Sequence, residues 1–207
     1  MMLPTHALVG LAIALPVAIA LPESANVVLF AGLLGGIVPD LDLYLGHRKT
    51  LHYPVYYTVL AAAVVTVALF VRMSLPIAVA VMLIAAAVHS IADVFGGGLE
   101  LRPWEATSDR AVYDHHRDRW IAPRRWIRYD GAPEDLLLTV AVAGPLLVTL
   151  DGAFRWVVVA ALTVATAYTV VRRALPAVAE SLLEDVLLQR LPDRVVANLP
   201  TRYVSDQ

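Results

Sequence analysis

The chain has 207 residues, of which 59% are hydrophobic and only 16% charged, against about 25% charged in an ordinary soluble domain. That balance, with a mean hydropathy of +0.68, excludes a simple soluble globular fold and points to an integral membrane protein. The formal net charge is −2 and there is no cysteine, which excludes disulfides and thiolate metal sites and leaves His, Asp, Glu and backbone oxygen as metal donors, a set suited to zinc, manganese or magnesium.

In chain order, six apolar segments stand out: roughly 6–21, 25–38, 54–71, 75–94, 135–150 and 154–171. The first lacks a basic leader and a small-residue cleavage site, so it reads as a retained helix rather than a signal peptide. The third, fourth and sixth approach the length of about 20 residues that a hydrocarbon core requires. The second and fifth are shorter, and would cross a thinned bilayer or re-enter it under neighbouring helices. The sequence therefore predicts an all-α, polytopic membrane helical bundle of five to six membrane segments. It spans residues 1–175, including a large 95–134 loop, with an amphipathic tail over 176–207.

Charge sets the sidedness. Arg48, Lys49, the seven arginines from Arg102 to Arg128 and five more from Arg172 to Arg202 fall on the side of the large loops. Only Arg72 and Arg155 fall on the other. Positive charge beside membrane segments stays cytoplasmic, so both termini and both large loops are expected in the cytoplasm, at the inner (cell) membrane. In the tail, Val178, Leu182, Val186 and Leu187 share a face opposite Glu180, Glu184 and Asp185, the pattern of a helix lying on a membrane or on the loops.

All six histidines fall on the side assigned from Arg and Lys alone, as do Asp40, Asp42 and Asp93. The stretch GGIVPDLDLYLGHRKTLHYP ends an apolar run and holds Asp40, Asp42, His47 and His52. Pro39 is expected to end the helix, leaving Asp40 and Asp42 in a turn or extended stretch, where one could bind metal while the other bridges or orients a histidine. Solvated acids in a helix-stop turn would look the same. HSIAD places His89 and Asp93 at i, i+4, one turn apart on one helix face. Ionisable groups in a membrane segment are expensive and need a partner or a purpose, here a metal or a His–Asp pair within the bundle. His6 begins the first helix, in THALVG, whose small residues permit close helix packing. Arg48 and Lys49 would meet a substrate phosphate or anchor the interface. The 95–134 loop, with Trp104, Trp120, Trp126 and the adjacent His115 and His116, is either an interfacial loop or a lid that reads an anionic substrate through arginine.

THALVG, GGIVPDLD, HRKTLH and HSIADVFGGG, in this order over residues 1–105, resemble the YdjM (DUF457) family of membrane-bound predicted metal-dependent hydrolases, which is distantly similar to the phospholipase C and P1 nuclease group. The second histidine motif reads Thr50-Leu51-His52-Tyr53, where the family usually has Thr-His-Ser. The resemblance implies a metal, zinc in the first place, held by His6, Asp40, His52, His89 and Asp93, with Asp42 and His47 as further ligands. The function expected is a divalent-metal-dependent hydrolase at the cytoplasmic face, with Asp40 or Asp42 as base or bridge, acting on a phosphoester, for which a membrane lipid fits the location best. No nucleic-acid partner is expected. The alternative is a non-catalytic, metal-stabilised membrane scaffold that presents the arginine-rich loop to a partner.

Overall fold

The structure is a computed structural model that describes residues 1–182. Each of the six apolar segments forms a helix. They are α1 (Leu3–Ala20), α2 (Ala25–Ile37), α4 (Pro54–Val71), α5 (Ser74–Ala92), α6 (Pro133–Thr149) and α7 (Gly152–Val171), with the short α3 (Leu43–Gly46) after α2 and α8 (Leu175–Leu182) after α7. Prolines open α1, α4 and α6, where the missing N–H would have no helical partner anyway. Among the described residues, five stretches are long and apolar enough to cross a membrane: Leu3–Ala20, Pro22–Gly46, Pro54–Val71, Ser74–Phe95 and Gly152–Val171. The chain is therefore read as membrane-associated. Large apolar side chains such as Phe30, Phe70, Val148 and Trp156 stand on the outside, as lipid-facing surfaces require.

The central helices are α1 and α2. α1 packs along α2 and also meets α5, α6 and α7, while α5 lies between α2 and α4. Leu8, Leu11, Val28, Val81, Leu146 and Val158 form the core between them. The contact between α1 and α2 is close because glycines face backbone. A Cβ at Gly10 would strike the carbonyl of Gly32, and one at Gly36 would strike the carbonyl of His6. Without side chains there, the two helices approach to backbone contact, a common solution where lipid removes the hydrophobic drive for helix association.

The short turns gather at one end of the bundle, where Ser24 and Ser74 share a hydrogen bond of 2.6 Å. The N-terminus, the 47–53 loop, the 95–132 segment and the end of α7 gather at the other. At that end Asp135, in the first turn of α6, accepts hydrogen bonds from the Met2 N–H, the Thr5 hydroxyl and the Gly131 N–H. Arg172 pairs with Asp130 in a fork, and the Tyr168 hydroxyl donates to the same carboxylate.

Three features differ from the sequence expectation. The second apolar segment is not short: a 3-10 turn over Val38–Asp42 and then α3 continue α2 to Gly46, giving 25 residues from Pro22. Pro39 ends the α-helical bonding, but Val38 stays in the helical region at φ −52°, ψ −42°, so the chain tightens rather than extends. Second, the 95–134 loop carries a small antiparallel hairpin, β1 (Val112–Asp114) with β2 (Arg119–Ile121), registered Val112 to Ile121 and Asp114 to Arg119. The all-α description therefore covers the bundle and not this loop. Third, much of the loop's arginine is spent internally: Arg125 donates to the Ala106 and Ser108 carbonyls and Arg128 to Glu134. Val186 and Leu187, assigned to the amphipathic tail face, lie outside the described residues.

Gly36→Ala is expected to push α1 from α2, because both atoms in conflict belong to backbone and neither can rotate away. The cost is about 1–3 kcal/mol or more, seen as a lowered midpoint of thermal unfolding in detergent. Gly144→Ala, where an added Cβ meets nothing within 4 Å, serves as the control.

Candidate metal centre

Three stretches of backbone converge at the loop end of the bundle. The 3-10 turn after α2 brings Asp40 and Asp42, the 47–52 loop brings His47, Arg48 and His52, and the end of α5 brings His89 and Asp93. α1 adds His6 from the side. His6, Asp42, His52, His89 and Asp93 are almost wholly buried.

One ligand atom each from Asp40, His52, His89 and Asp93 lies within 4.8 Å of the other three. His52 Nε2 stands 3.3 Å from Asp93 Oδ2 and 3.7 Å from Asp40 Oδ1. His89 Nε2 stands 3.4 Å from Asp40 Oδ1 and 3.7 Å from Asp93 Oδ2. Metal–ligand bonds of about 2.0–2.1 Å in a tetrahedron put neighbouring ligand atoms about 3.4 Å apart, so the observed spacings suit a first-row divalent ion. The group could hold a metal ion.

The orientation of the two imidazoles carries the point further. His89 Nδ1 lies 2.7 Å from the Gly36 carbonyl. A carbonyl only accepts, so Nδ1 bears the proton and the lone pair sits on Nε2. His52 Nδ1 donates in the same way to Asp42 Oδ2 at 3.0 Å. Both Nε2 atoms are buried and without a hydrogen-bond partner among the described residues. A buried polar atom left unpaired costs about 1–3 kcal/mol. Two of them aimed at the same point between two carboxylates are explained by a cation there. A metal-bound histidine ordinarily gives its other N–H to a carboxylate or carbonyl, and both partners are in place.

Asp42 is the organiser of the loop. Its Oδ1 receives His47 Nδ1 and the Arg48 N–H, and its Oδ2 receives His52 Nδ1 and the Leu51 N–H. The two carboxylates of PDLD thus divide: Asp40 faces the four-residue group and Asp42 faces away from it, into its own histidines. Asp93 Oδ1 accepts from His6 Nε2 at 3.0 Å and from the Met1 amino group at 2.6 Å, while Arg48 Nε lies 3.4 Å from its Oδ2. His6 also stacks on His89, with centroids 3.6 Å apart and planes within 14°. It therefore stands beside the group and holds two of its members, whereas the sequence placed it among the ligands. His47 is likewise outside the four. Without a metal ion, burial opposes protonation of His52, but the Asp42 and Asp93 carboxylates beside it outweigh burial and raise its pKa to about 9, so a proton on Nε2, 3.3 Å from Asp93 Oδ2, would compete with the ion for that position. The site demands positive charge.

The residues named as phosphate readers separate. Arg48 is buried at the group and donates Nη1 to the Gly97 carbonyl. Lys49 turns outward and rests its ammonium on the Tyr113 ring, 4.1 Å from the centroid. The hairpin clamps this loop: the Tyr113 N–H donates to the Arg48 carbonyl, and His115 Nε2 donates to the Lys49 carbonyl at 2.7 Å. His115 is thus a latch and His116 is exposed. Two participants were missed in the sequence. Gly36, whose carbonyl orients His89, carries no side-chain chemistry to notice. The latch formed by Tyr113 and His115 joins positions far apart in the chain.

No family model, no curated protein and no solved structure matches the chain.

Asp42→Asn keeps the shape but loses the carboxylate behind His52. Bound metal is expected to weaken by about 10–100-fold, the usual effect of removing such a partner, with little change in helix content. Titration of the apo protein with zinc and with manganese reads this directly.

Proposed function

We propose that the protein is a membrane-bound, divalent-metal-dependent hydrolase acting on a phosphoester at the cytoplasmic face of the cell membrane. The observation that carries this reading is the pair of orphaned Nε2 atoms of His52 and His89 converging with the Asp40 and Asp93 carboxylates. Asp40 of this group lines a cavity of about 490 Å³ together with His47 and Arg48. The ordered motifs that resemble the YdjM family support the same reading, as does the Arg and Lys bias for the cytoplasmic side.

Asp40, His52, His89 and Asp93 would hold the ion, zinc in the first place for a set with two imidazoles, manganese or magnesium otherwise. When bound, the ion would lower the pKa of a water towards about 7 and polarise a phosphoryl oxygen. The chain's own residues supply the rest. Asp40 is the member of the group that lines the cavity and is its least buried carboxylate, so it is the residue placed to take the proton from the attacking water. Asp42, with two hydrogen bonds on each oxygen, has no such freedom and serves to position His52 and His47. His47 shows no hydrogen bond from Nε2 among the described residues, and Arg48 none from Nη2. Both line the cavity, where they would bind the anionic oxygens of the substrate. In the reaction, water oxygen bonds to phosphorus, the bond from phosphorus to the ester oxygen breaks, and the departing oxygen takes up a proton.

A second reading has its own support. Four protein ligands with three of them fully buried match a closed structural site, and the hairpin would then be a surface held out by a metal-stabilised scaffold. The two separate on one experiment. The protein purified in detergent should contain about one divalent ion or two per chain, and His89→Ala should lose it. A metal-free wild type, or an unchanged mutant, would sink both readings. Asp40→Asn should abolish hydrolysis of a generic phosphate ester while leaving most of the thermal stability. Loss of stability without any wild-type turnover would instead favour the scaffold.

A further inference from the structure

The cavity beside the metal group has two kinds of wall. Its polar wall includes Asp40, His47 and Arg48, and also Glu100, Asp130, Tyr168 and Arg172. Its apolar wall includes Leu3 of α1, Leu43 of α3, Val164 of α7 and Leu175 of α8. These four are at once cavity wall and outer surface, with exposures of 43%, 41%, 56% and 39%. A cavity whose walls are also exposed is open there. The cavity is therefore open on the flank of the bundle where α1, α3, α7 and α8 meet, and Leu3, Leu43, Val164 and Leu175 give that part of the rim an apolar surface.

Water-soluble phosphoesters would meet an unfavourable entrance, since an aqueous ligand gains nothing from a greasy rim. A bilayer lipid meets a favourable one. Val164 belongs to a helix long and apolar enough to cross a membrane, so with α7 in a bilayer this part of the rim would stand beside acyl chains. The volume falls within the usual range for small-molecule sites, about 300–1,000 Å³. It suits a headgroup and the upper part of its chains, with the remaining carbons left in the bilayer.

We infer that this cavity binds an anionic, phosphate-bearing membrane lipid that enters laterally, its phosphate at Arg48 and Asp40's group and its chains across Leu3, Leu43, Val164 and Leu175. The inference rests on the hydrolase reading for the chemistry at the polar end, but the cavity and its apolar rim stand without it. Arg48 supplies a fixed guanidinium for the phosphate. The exposed Tyr44 and Leu45, next to Leu43 on α3, extend the apolar rim along the interface.

The test uses the full chain in lipid nanodiscs with a phosphatidic acid that carries a photoreactive diazirine near the glycerol end of one chain. Labelled peptides should contain Leu3, Leu43, Val164 or Leu175. Unlabelled phosphatidic acid should compete at least about tenfold better than glycerol phosphate, which lacks the buried chains, and better than diacylglycerol, which lacks the phosphate. Val164→Trp, and separately Leu175→Trp, should lower competed labelling at least about tenfold while bound metal, measured on the same samples, stays at the wild-type level. Labelling that phosphatidic acid does not displace, or that both tryptophan variants leave unchanged, overturns the lipid site. So does labelling displaced equally by glycerol phosphate, or a rim found cross-linked to another part of this chain or to a second copy in place of lipid. Bound metal with uncompeted labelling overturns the lipid site alone. Competed labelling without bound metal supports the lipid site and overturns the hydrolase reading.

Discussion

Negative charge buried at the end of an apolar bundle is the constraint on which the rest depends. Asp40, Asp42 and Asp93 lie within one small region of the fold, and removing an ion from water costs several kcal/mol even after relaxation. The protein answers Asp42 with four hydrogen-bond donors from one loop. It answers one oxygen of Asp93 with His6 and the Met1 amino group. The remaining oxygens, Asp40 Oδ1 and Asp93 Oδ2, face the Nε2 atoms of His52 and His89, with Arg48 Nε 3.4 Å from Asp93 Oδ2. That remainder is where the group could hold a metal ion.

Close helix contact makes this geometry attainable. Gly36 omits a side chain so that α1 can bring His6 against α2, and the same residue turns its carbonyl to His89. Packing and ligand orientation meet at a single backbone position. The loop that carries His47, Arg48 and His52 is held from both sides, by Asp42 within it and by the hairpin outside it. Arg48 is fixed with φ at +59°, a left-handed conformation uncommon for a residue with a side chain. Its carbonyl meets the Tyr113 N–H and its guanidinium meets Gly97. A conformation of that kind persists where surrounding contacts over-determine it.

Much of this was legible in the sequence. Hydropathy located the helices within a few residues because long apolar runs leave no other way to satisfy backbone polar groups in lipid. The i, i+4 spacing of His89 and Asp93 survives as two members of one group, since a helix fixes such spacing locally. PDLD was read as a place where one carboxylate could bind and its neighbour orient a histidine, and the two face different ways. What could not be read was set by contacts distant in sequence. That His6 stacks on His89 and turns its Nε2 to Asp93 is set by packing between α1 and α5 and has no signal in the sequence. Arg48 and Lys49 are adjacent and chemically alike, yet the left-handed backbone at Arg48 sends them in different directions. The continuation past Pro39 was also hidden, because a proline signals an end to α-helical bonding but is compatible with a tighter 3-10 turn.

That 3-10 turn has a consequence for how the chain can vary. With three residues per turn, adding or deleting one residue between Val38 and Asp40 rotates everything after it by about 120°. Asp42 would leave His52, Asp40 would leave the group, and Leu43 would leave the cavity rim together. A substitution in this stretch disturbs one alignment at a time, whereas a change in its length ahead of Asp40 undoes all three. The tolerance of the protein to insertions should therefore fall sharply here and recover in the tiny turns at the opposite end of the bundle.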